Sequence, residues 1–155
     1  MKIEVKKFQH INVGFDGGVD KYDLYLDGVL RAHVETSATG GPTNYAWVRV
    51  EFGGKPFTTM QMPDDVKAFV AAQPKFMYHG HELAHDMDTL TEPAITAFEV
   101  EKKIRAACKK VMCVSNEGDP AGTFRKYKVP YTPALAADYR RRNPKGVIYN
   151  ETLAA

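Results

Sequence analysis

Residues 24–30 have the sequence Leu-Tyr-Leu-Asp-Gly-Val-Leu, and this stretch decides how the first part of the chain folds. Asp27 and Gly28 both tolerate the positive φ angles of a two-residue hairpin turn. The apolar residues on either side can then pair as antiparallel strands. Glycine pairs at 17–18, 40–41 and 53–54 mark further turns. The sequence therefore predicts that residues 1–62 form strands and turns.

Residues 45–52 alternate in a way that is typical of a strand. One set is apolar throughout and consists of Ala46, Val48, Val50 and Phe52. The other set consists of Tyr45, Trp47, Arg49 and Glu51. A period of two places the sets on opposite faces of a sheet. We expect the all-apolar set to face the core.

Helical patterns begin at Pro63. Asp64 and Asp65 favour the positive N-terminal end of a short helix, which Pro74 separates from a second helix over about 75–90. Thr91 can cap a third helix.

The body of that third helix is predicted from Ala94 to about Met112. Prolines make residues 113–155 irregular, except for a short helix over 134–142. Sheet followed by helices predicts an α+β fold in one domain, divided into a strand-rich part (1–62), a helical part (63–112) and a basic tail (113–155).

The composition indicates a globular chain. Its 155 residues are 44% apolar and 26% charged. No apolar run approaches the roughly 20 residues that cross a bilayer, and the first ten residues do not resemble a signal peptide. Two cysteines are too few for a disulfide framework. We therefore expect no membrane partner and a cytoplasmic location, which would be the host cytoplasm for a phage or secreted effector protein.

The charges are distributed unevenly along the chain. Residues 1–101 carry 9 Lys and Arg against 15 Asp and Glu, whereas residues 102–155 carry 12 against 4. A basic final third can form the solvated face of helices, or it can contact phosphates or an acidic protein. Nucleic acid is thus a possible partner for this part of the chain.

A metal-binding pattern lies in the predicted second helix. Residues 81–85 have the sequence His-Glu-Leu-Ala-His. Residues four apart on a helix project side by side, so His81 and His85 could hold one metal ion. Glu82 could then accept a proton from a metal-bound water, whose pKa zinc lowers from about 15.7 towards 7.

A catalytic zinc usually takes a third protein ligand. On the predicted third helix Glu101 lies at the edge of the apolar arc, where a buried carboxylate would need a partner. The zinc ion would be one partner, and Arg105 one turn later is the competing one. Glu99 and Glu92 are alternative ligands.

Three stretches carry a family resemblance: residues 80–85, residues 97–105 and Arg125-Lys126-Tyr127. Together they resemble small HExxH metallopeptidases of the zincin group, especially compact members among bacterial effectors, polymorphic toxins and phage proteins. The resemblance implies a twisted, mostly antiparallel sheet above an active-site helix, with a second helix packed beside it. It implies His81 and His85 as Zn²⁺ ligands, an acidic third ligand and Glu82 as general base. Arg125 and Tyr127 match the R-x-Y that follows in the family and would stabilise the oxyanion, with Tyr131 as a further candidate.

Two departures separate the chain from the family pattern. Lys102 stands where the family has asparagine, and the stretch between His85 and Glu101 is short. The resemblance predicts a zinc-dependent hydrolase that acts on a protein or peptide. The alternatives are a phage or effector-type binding protein that blocks a host protein or nucleic acid, and a protein in which zinc only braces two helices.

Overall fold

The computed structural model describes residues 1–13, 17–50 and 54–153. Its first five strands form one antiparallel sheet in sequence order: β1 (Ile3–Asn12), β2 (Gly18–Leu26), β3 (Val29–Glu35), β4 (Asn44–Val50) and β5 (Pro56–Thr59). The strand-rich start that the sequence predicts is therefore present, and it has the meander topology that short turns favour.

The predicted hairpin turn joins β2 to β3. Asp27 and Gly28 have φ angles of 50° and 79°, and Leu26 pairs with Val29 across the turn. Positive φ at both central positions matches the right-handed twist of the flanking strands. Because β2 alternates, Leu24 and Leu26 are buried in the core.

The alternation of β4 is confirmed, but the prediction of its buried face is wrong. Trp47 is 1% exposed and stacks on Tyr45, with ring centroids 5.4 Å apart. Val50 is 68% exposed. The two aromatic rings bury more apolar area than alanine and valine would, so the aromatic set faces the core. Glu51 and Phe52, the last residues of the predicted strand, lie outside the described residues.

The predicted short helix after Pro63 is present as α1 (Asp64–Ala71). The predicted helix over 75–90 is wrong. Residues 76–83 form a two-stranded hairpin, β6 (Phe76–Tyr78) and β7 (His81–Leu83), which we call the motif hairpin. His79 and Gly80 have φ angles of 48° and 82°, the values of a type I′ turn, and a helix cannot pass through two such residues.

The long helix α2 (Met87–Cys108) begins earlier than the predicted Thr91 cap. The Thr89 amide donates to Asp86 Oδ1 at 2.8 Å, and the Asp86 amide donates to Thr89 Oγ1 at 3.0 Å. These reciprocal bonds satisfy two N–H groups at the start of the helix, so Asp86 is its N-cap. Thr91 is instead buried inside the helix, where its hydroxyl donates to the carbonyl of Met87 at 2.8 Å.

After α2 the chain forms a small sheet and two short helices. Strands β8 (Cys113–Ser115), β9 (Arg125–Lys126) and β10 (Val147–Ile148) pair in the order β10-β8-β9. Helix α3 (Pro133–Arg142) confirms the predicted helix over 134–142, and α4 (Tyr149–Thr152) follows β10. Their core consists of Met112, Val114, Ala136, Tyr139 and Ile148.

The chain divides into two compact units, Met1–Thr96 and Ala97–Ala155, with α2 contributing residues to both. The predicted α+β class, an N-terminal antiparallel sheet followed by helices, is confirmed. In the parts of the chain that the structure describes, no helix combines the length and the apolar character that crossing a membrane requires.

Candidate functional site

Two residues of the predicted metal motif lie on the motif hairpin instead of a helix. His81 and Glu82 are in β7, and both are exposed to solvent. Glu82 Oε2 accepts from Lys75 Nζ at 3.0 Å. The helical alignment that would place His81 beside His85 is absent, because β7 ends before His85 and a strand rises about 3.3 Å per residue against 1.5 Å in a helix.

His85 lies in the segment that connects β7 to α2. Its ring stacks on Phe76, with centroids 4.6 Å apart, and its Nδ1 lies 3.3 Å from Thr89 Oγ1. The imidazole therefore packs the motif hairpin against the start of α2. These contacts give His85 a structural role within the first unit.

The predicted third ligand lies in the second unit and is paired locally. Glu101 is half-exposed and accepts from Arg105 Nε at 2.8 Å. Arg105 is the residue that the sequence predicts to compete with zinc for Glu101. The alternative ligands Glu92 and Glu99 are exposed on α2.

The first two candidates for oxyanion stabilisation, Arg125 and Tyr127, also belong to the second unit, as does Tyr131. Arg125 binds Asp119 through two nitrogens at 2.7 and 3.2 Å. The Arg125 guanidinium, together with the Asn116 amide, lowers the pKa of Asp119 below its usual value. Tyr127 packs against the core with its ring at a right angle to Tyr139. Both side chains thus stabilise the fold around β8 and β9.

The side chains predicted as zinc ligands do not form a metal site in this structure. Among residues 1–13, 17–50 and 54–153, no group of three His, Cys, Asp or Glu side chains could hold a metal ion. Of the predicted ligands, His81 is exposed to solvent. His85 is stacked on an aromatic ring, and Glu101 is ion-paired. Zinc-dependent hydrolysis stays a prediction that only the sequence motif supports.

In the second unit, arginines and lysines differ in whether they are paired with carboxylates. Its arginines 105, 125, 140, 141 and 142 are all paired with carboxylates. Lys145 pairs with Glu117. Of the carboxylates that the structure describes in this unit, Glu99 alone has no ion pair. Most of the excess positive charge is therefore carried by lysines.

Six lysines of the second unit make no ion pair with any described residue: Lys102, Lys103, Lys109, Lys110, Lys126 and Lys128. Lys126 lies over the ring of Phe124, 5.4 Å from its centroid. Lys102 and Lys109 are seven residues apart, close to two helical turns, and so are Lys103 and Lys110. Lys102 and Lys103 lie within α2, whereas Lys109 and Lys110 follow directly after its last residue, Cys108.

Two of these lysines line a cleft of about 690 Å³ within the second unit. Lys109 and Lys110 form one wall with Arg105, and Pro130, Tyr131 and Asn150 lie among the other lining residues. We call this the basic cleft. No carboxylate among the described residues lines it. Since Arg105 is balanced by Glu101, the net charge of the walls comes from Lys109 and Lys110.

The other polar groups of the basic cleft are neutral. Burial, reinforced by Cys113, raises the pKa of the Cys108 thiol to about 11, so this cysteine is protonated near neutral pH. The hydroxyl of Tyr131 donates to Glu151 at 2.8 Å, which raises the pKa of Tyr131. A thiolate nucleophile is thus unavailable, and the cleft offers cations, one aromatic ring and amide groups.

The sequence pattern identified the basic final third but not which cations are available. Residues 140–142 are a run of three arginines, yet all three are ion-paired, Arg140 with Glu151 and both Arg141 and Arg142 with Asp138. No local pattern separates the unpaired lysines from the paired arginines, because the pairing depends on the fold. Asn150 was missed because no local pattern marks it.

The comparisons with known proteins add no relative: no family model, no curated protein and no solved structure matches this chain. The resemblance to HExxH metallopeptidases therefore depends on the sequence motif alone.

Proposed function

We propose that this protein binds single-stranded nucleic acid through the unpaired lysines of its second unit. The observation that carries the proposal is the sorting of charges: the arginines are paired internally, whereas Lys109 and Lys110 line an open cleft that has no carboxylate among its described walls. Unpaired cations that face solvent together attract a polyanion and release its counterions.

The residue types favour phosphate over carboxylate as the partner group. An arginine fork matches a carboxylate in a bidentate way, but the arginines of this unit already bind Asp and Glu side chains of the same unit. A lysine ammonium is a compact charge that contacts a phosphate from any direction. Tyr131 and Pro130 add flat apolar surface to the cleft, on which an unpaired base can stack. Together these groups favour a single strand over an acidic protein.

Fluorescence anisotropy of a fluorescein-labelled oligothymidylate tests the proposal at a series of salt concentrations. We expect the affinity to fall steeply with salt. The double variant Lys109→Ala/Lys110→Ala should bind more weakly, and its slope of log K against log salt should be shallower by about 1.4, since each lost phosphate contact on a single strand contributes about 0.7.

The matched control is Lys55→Ala/Lys67→Ala, which removes the same charge from the first unit. It should leave both the affinity and the salt slope close to wild type. A second control measures competition by polyglutamate, which carries carboxylates without phosphates or bases. The proposal fails if the two double variants weaken binding equally, or if polyglutamate displaces the oligonucleotide as well as unlabelled oligothymidylate does.

A further inference from the structure

A second cleft lies on the outer face of the five-stranded sheet, wholly within the first unit. Asp23 pairs with His33 and Lys21 pairs with Glu35 in the register of β2 and β3, so their side chains share one face. These residues line a cleft of about 370 Å³, which we call the sheet cleft. The zinc motif does not contribute to it, and neither does the basic cleft.

A buried carboxylate organises the sheet cleft. Asp23 is 7% exposed, its Oδ1 lies 2.6 Å from His33 Nδ1, and its Oδ2 lies 2.9 Å from Lys7 Nζ. Burial by itself would raise the pKa of Asp23, but the ion pair with Lys7 and the hydrogen bond from His33 outweigh it and leave the pKa below the usual value. An ionised carboxylate only accepts hydrogen bonds, so His33 must donate through Nδ1–H.

The bond to Asp23 determines which nitrogen of His33 is available. When the neutral ring donates through Nδ1, its Nε2 carries the lone pair. The His33 side chain is 51% exposed, and its Nε2 has no hydrogen-bond partner among the residues that the structure describes. The acceptor nitrogen of a fixed tautomer is therefore open to the sheet cleft.

A cation is held beside this pair by an unusual backbone conformation. Lys7 has a φ angle of 54°, and it lies where the register of β1 and β2 shifts between Lys6 and Gln9. A non-glycine residue at positive φ stores strain of about 1–3 kcal/mol, and such strain is concentrated at functional sites. The bulge directs the Lys7 ammonium to Asp23 at the cleft.

The same sheet contains a second histidine–aspartate pair for comparison. His10 Nδ1 lies 2.6 Å from Asp20 Oδ1, the same separation as in the first pair. Its Nε2, however, lies 3.0 Å from Asn12 Oδ1. Both ring nitrogens of His10 are therefore engaged, which makes this pair a built-in control for His33.

We propose that the sheet cleft is a catalytic site for the hydrolysis of small carboxylic esters, with His33 as general base, Lys7 as oxyanion partner and Asp23 as positioning residue. His33 Nε2 takes a proton from water, whose oxygen bonds to the ester carbonyl carbon. The negative charge that develops on the carbonyl oxygen faces the Lys7 ammonium. The carbon–oxygen bond to the leaving group then breaks, and Nε2 returns its proton to the departing alkoxide, which gives an acid and an alcohol.

The size of the sheet cleft limits the substrate class. A volume of about 370 Å³ lies near the lower end of small-molecule sites, which span roughly 300–1,000 Å³. Lys7, Lys21, Asp23 and Glu35 give the cleft two cations and two anions, so it does not favour a charged substrate. A small neutral ester fits these walls better than a peptide or a nucleic acid.

Hydrolysis of p-nitrophenyl acetate, followed by the absorbance of p-nitrophenolate, tests the proposal. We expect His33→Gln to lower the second-order rate constant about 100-fold, the lower range for a positioned general base. His10→Gln should leave the rate unchanged, although it removes an imidazole from the same sheet. Melting temperatures of both variants show whether the fold is retained.

The test of Asp23 must distinguish the positioning of His33 from a purely structural role. In wild type, the ¹⁵N shifts of the His33 ring should show a proton on Nδ1. Asp23→Asn should shift this proton towards Nε2 and lower the rate about tenfold or more, because the wrong nitrogen is then protonated.

Three results would overturn the inference. One is a His33→Gln variant that hydrolyses the ester as fast as wild type does. Another is a His33 ring whose proton is on Nε2 in the wild-type protein. Loss of rate in His10→Gln equal to that in His33→Gln would also count against it, because it would indicate reaction at any imidazole.

Discussion

At the scale of single residues, buried polar side chains hold the second unit together. Asn150 is 8% exposed and makes three hydrogen bonds within the unit. Its Oδ1 accepts from the amide of Cys113, and its Nδ2 donates to the carbonyls of Cys108 and Val111. These backbone groups lie where α2 ends and β8 begins, so one amide side chain satisfies a helix end that has no partner of its own.

Replacement of Asn150 by alanine should therefore be costly. The change leaves one amide and two carbonyls without their partner, and we expect a loss of about 1–3 kcal/mol in the free energy of unfolding. Urea denaturation followed by circular dichroism measures it. Asn143→Ala is the control, because Asn143 makes only a long side-chain bond of 3.4 Å to Tyr139. Equal losses in the two variants would contradict this role of Asn150.

At the scale of elements, the motif hairpin shows how turn chemistry overrides a helical pattern. His81 and His85 have the spacing of neighbours on a helix, and Leu83 and Leu90 fit an apolar arc. Two local features oppose the helix. His79-Gly80 forms a turn in which both residues have positive φ, and Asp86 caps a helix that begins only at Met87. The sequence contains both the glycine of the turn and the aspartate of the cap, but the histidine spacing alone predicts a helix.

The change in stability caused by Gly80→Ala has opposite signs in a hairpin and in a helix. Gly80 has a φ of 82°, so Gly80→Ala should destabilise the motif hairpin by about 1 kcal/mol. Amide hydrogen exchange of residues 76–83 should then be about fivefold faster. In a helix the same change would stabilise by about 0.5–1 kcal/mol and slow the exchange.

Gly28→Ala is the matched control, because Gly28 occupies the corresponding position of the β2–β3 turn with a φ of 79°. It should accelerate exchange at the ends of β2 and β3. Slower exchange in Gly80→Ala, beside faster exchange in Gly28→Ala, would show that residues 76–83 are helical.

At the scale of the whole molecule, the predicted catalytic residues are divided between the two compact units. His81, Glu82 and His85 belong to the first unit, whereas Glu101, Arg125 and Tyr127 belong to the second. Apart from His81, which is exposed, these side chains contact neighbours within their own unit. Zinc binding by His85 and Glu101 would compete with the His85–Phe76 stack and the Glu101–Arg105 ion pair.

Metal content is therefore expected to be low. Purified protein should contain far less than one zinc ion per chain, and a chelator should leave the melting temperature unchanged, since metal stabilises a fold only when it binds the folded state. His85→Ala, analysed beside wild type, should have the same metal content. One zinc per wild-type chain that His85→Ala loses would instead support the metallopeptidase, and Glu82→Gln would then test its general base.

The sequence by itself determined the α+β class, the hairpin at Asp27-Gly28, the helix after Pro63 and the short helix before Asn143. Each depends on neighbours within a few residues, because turn dihedrals and helix periodicity are local properties. Only the tertiary structure decided which face of β4 is buried, because that depends on what packs against Trp47. It also decided that Glu101 pairs with Arg105, that the arginines of the tail are ion-paired, and that Asp23 meets both Lys7 and His33. Such pairings join residues far apart in the chain or choose among several local partners, and no sequence pattern records that choice.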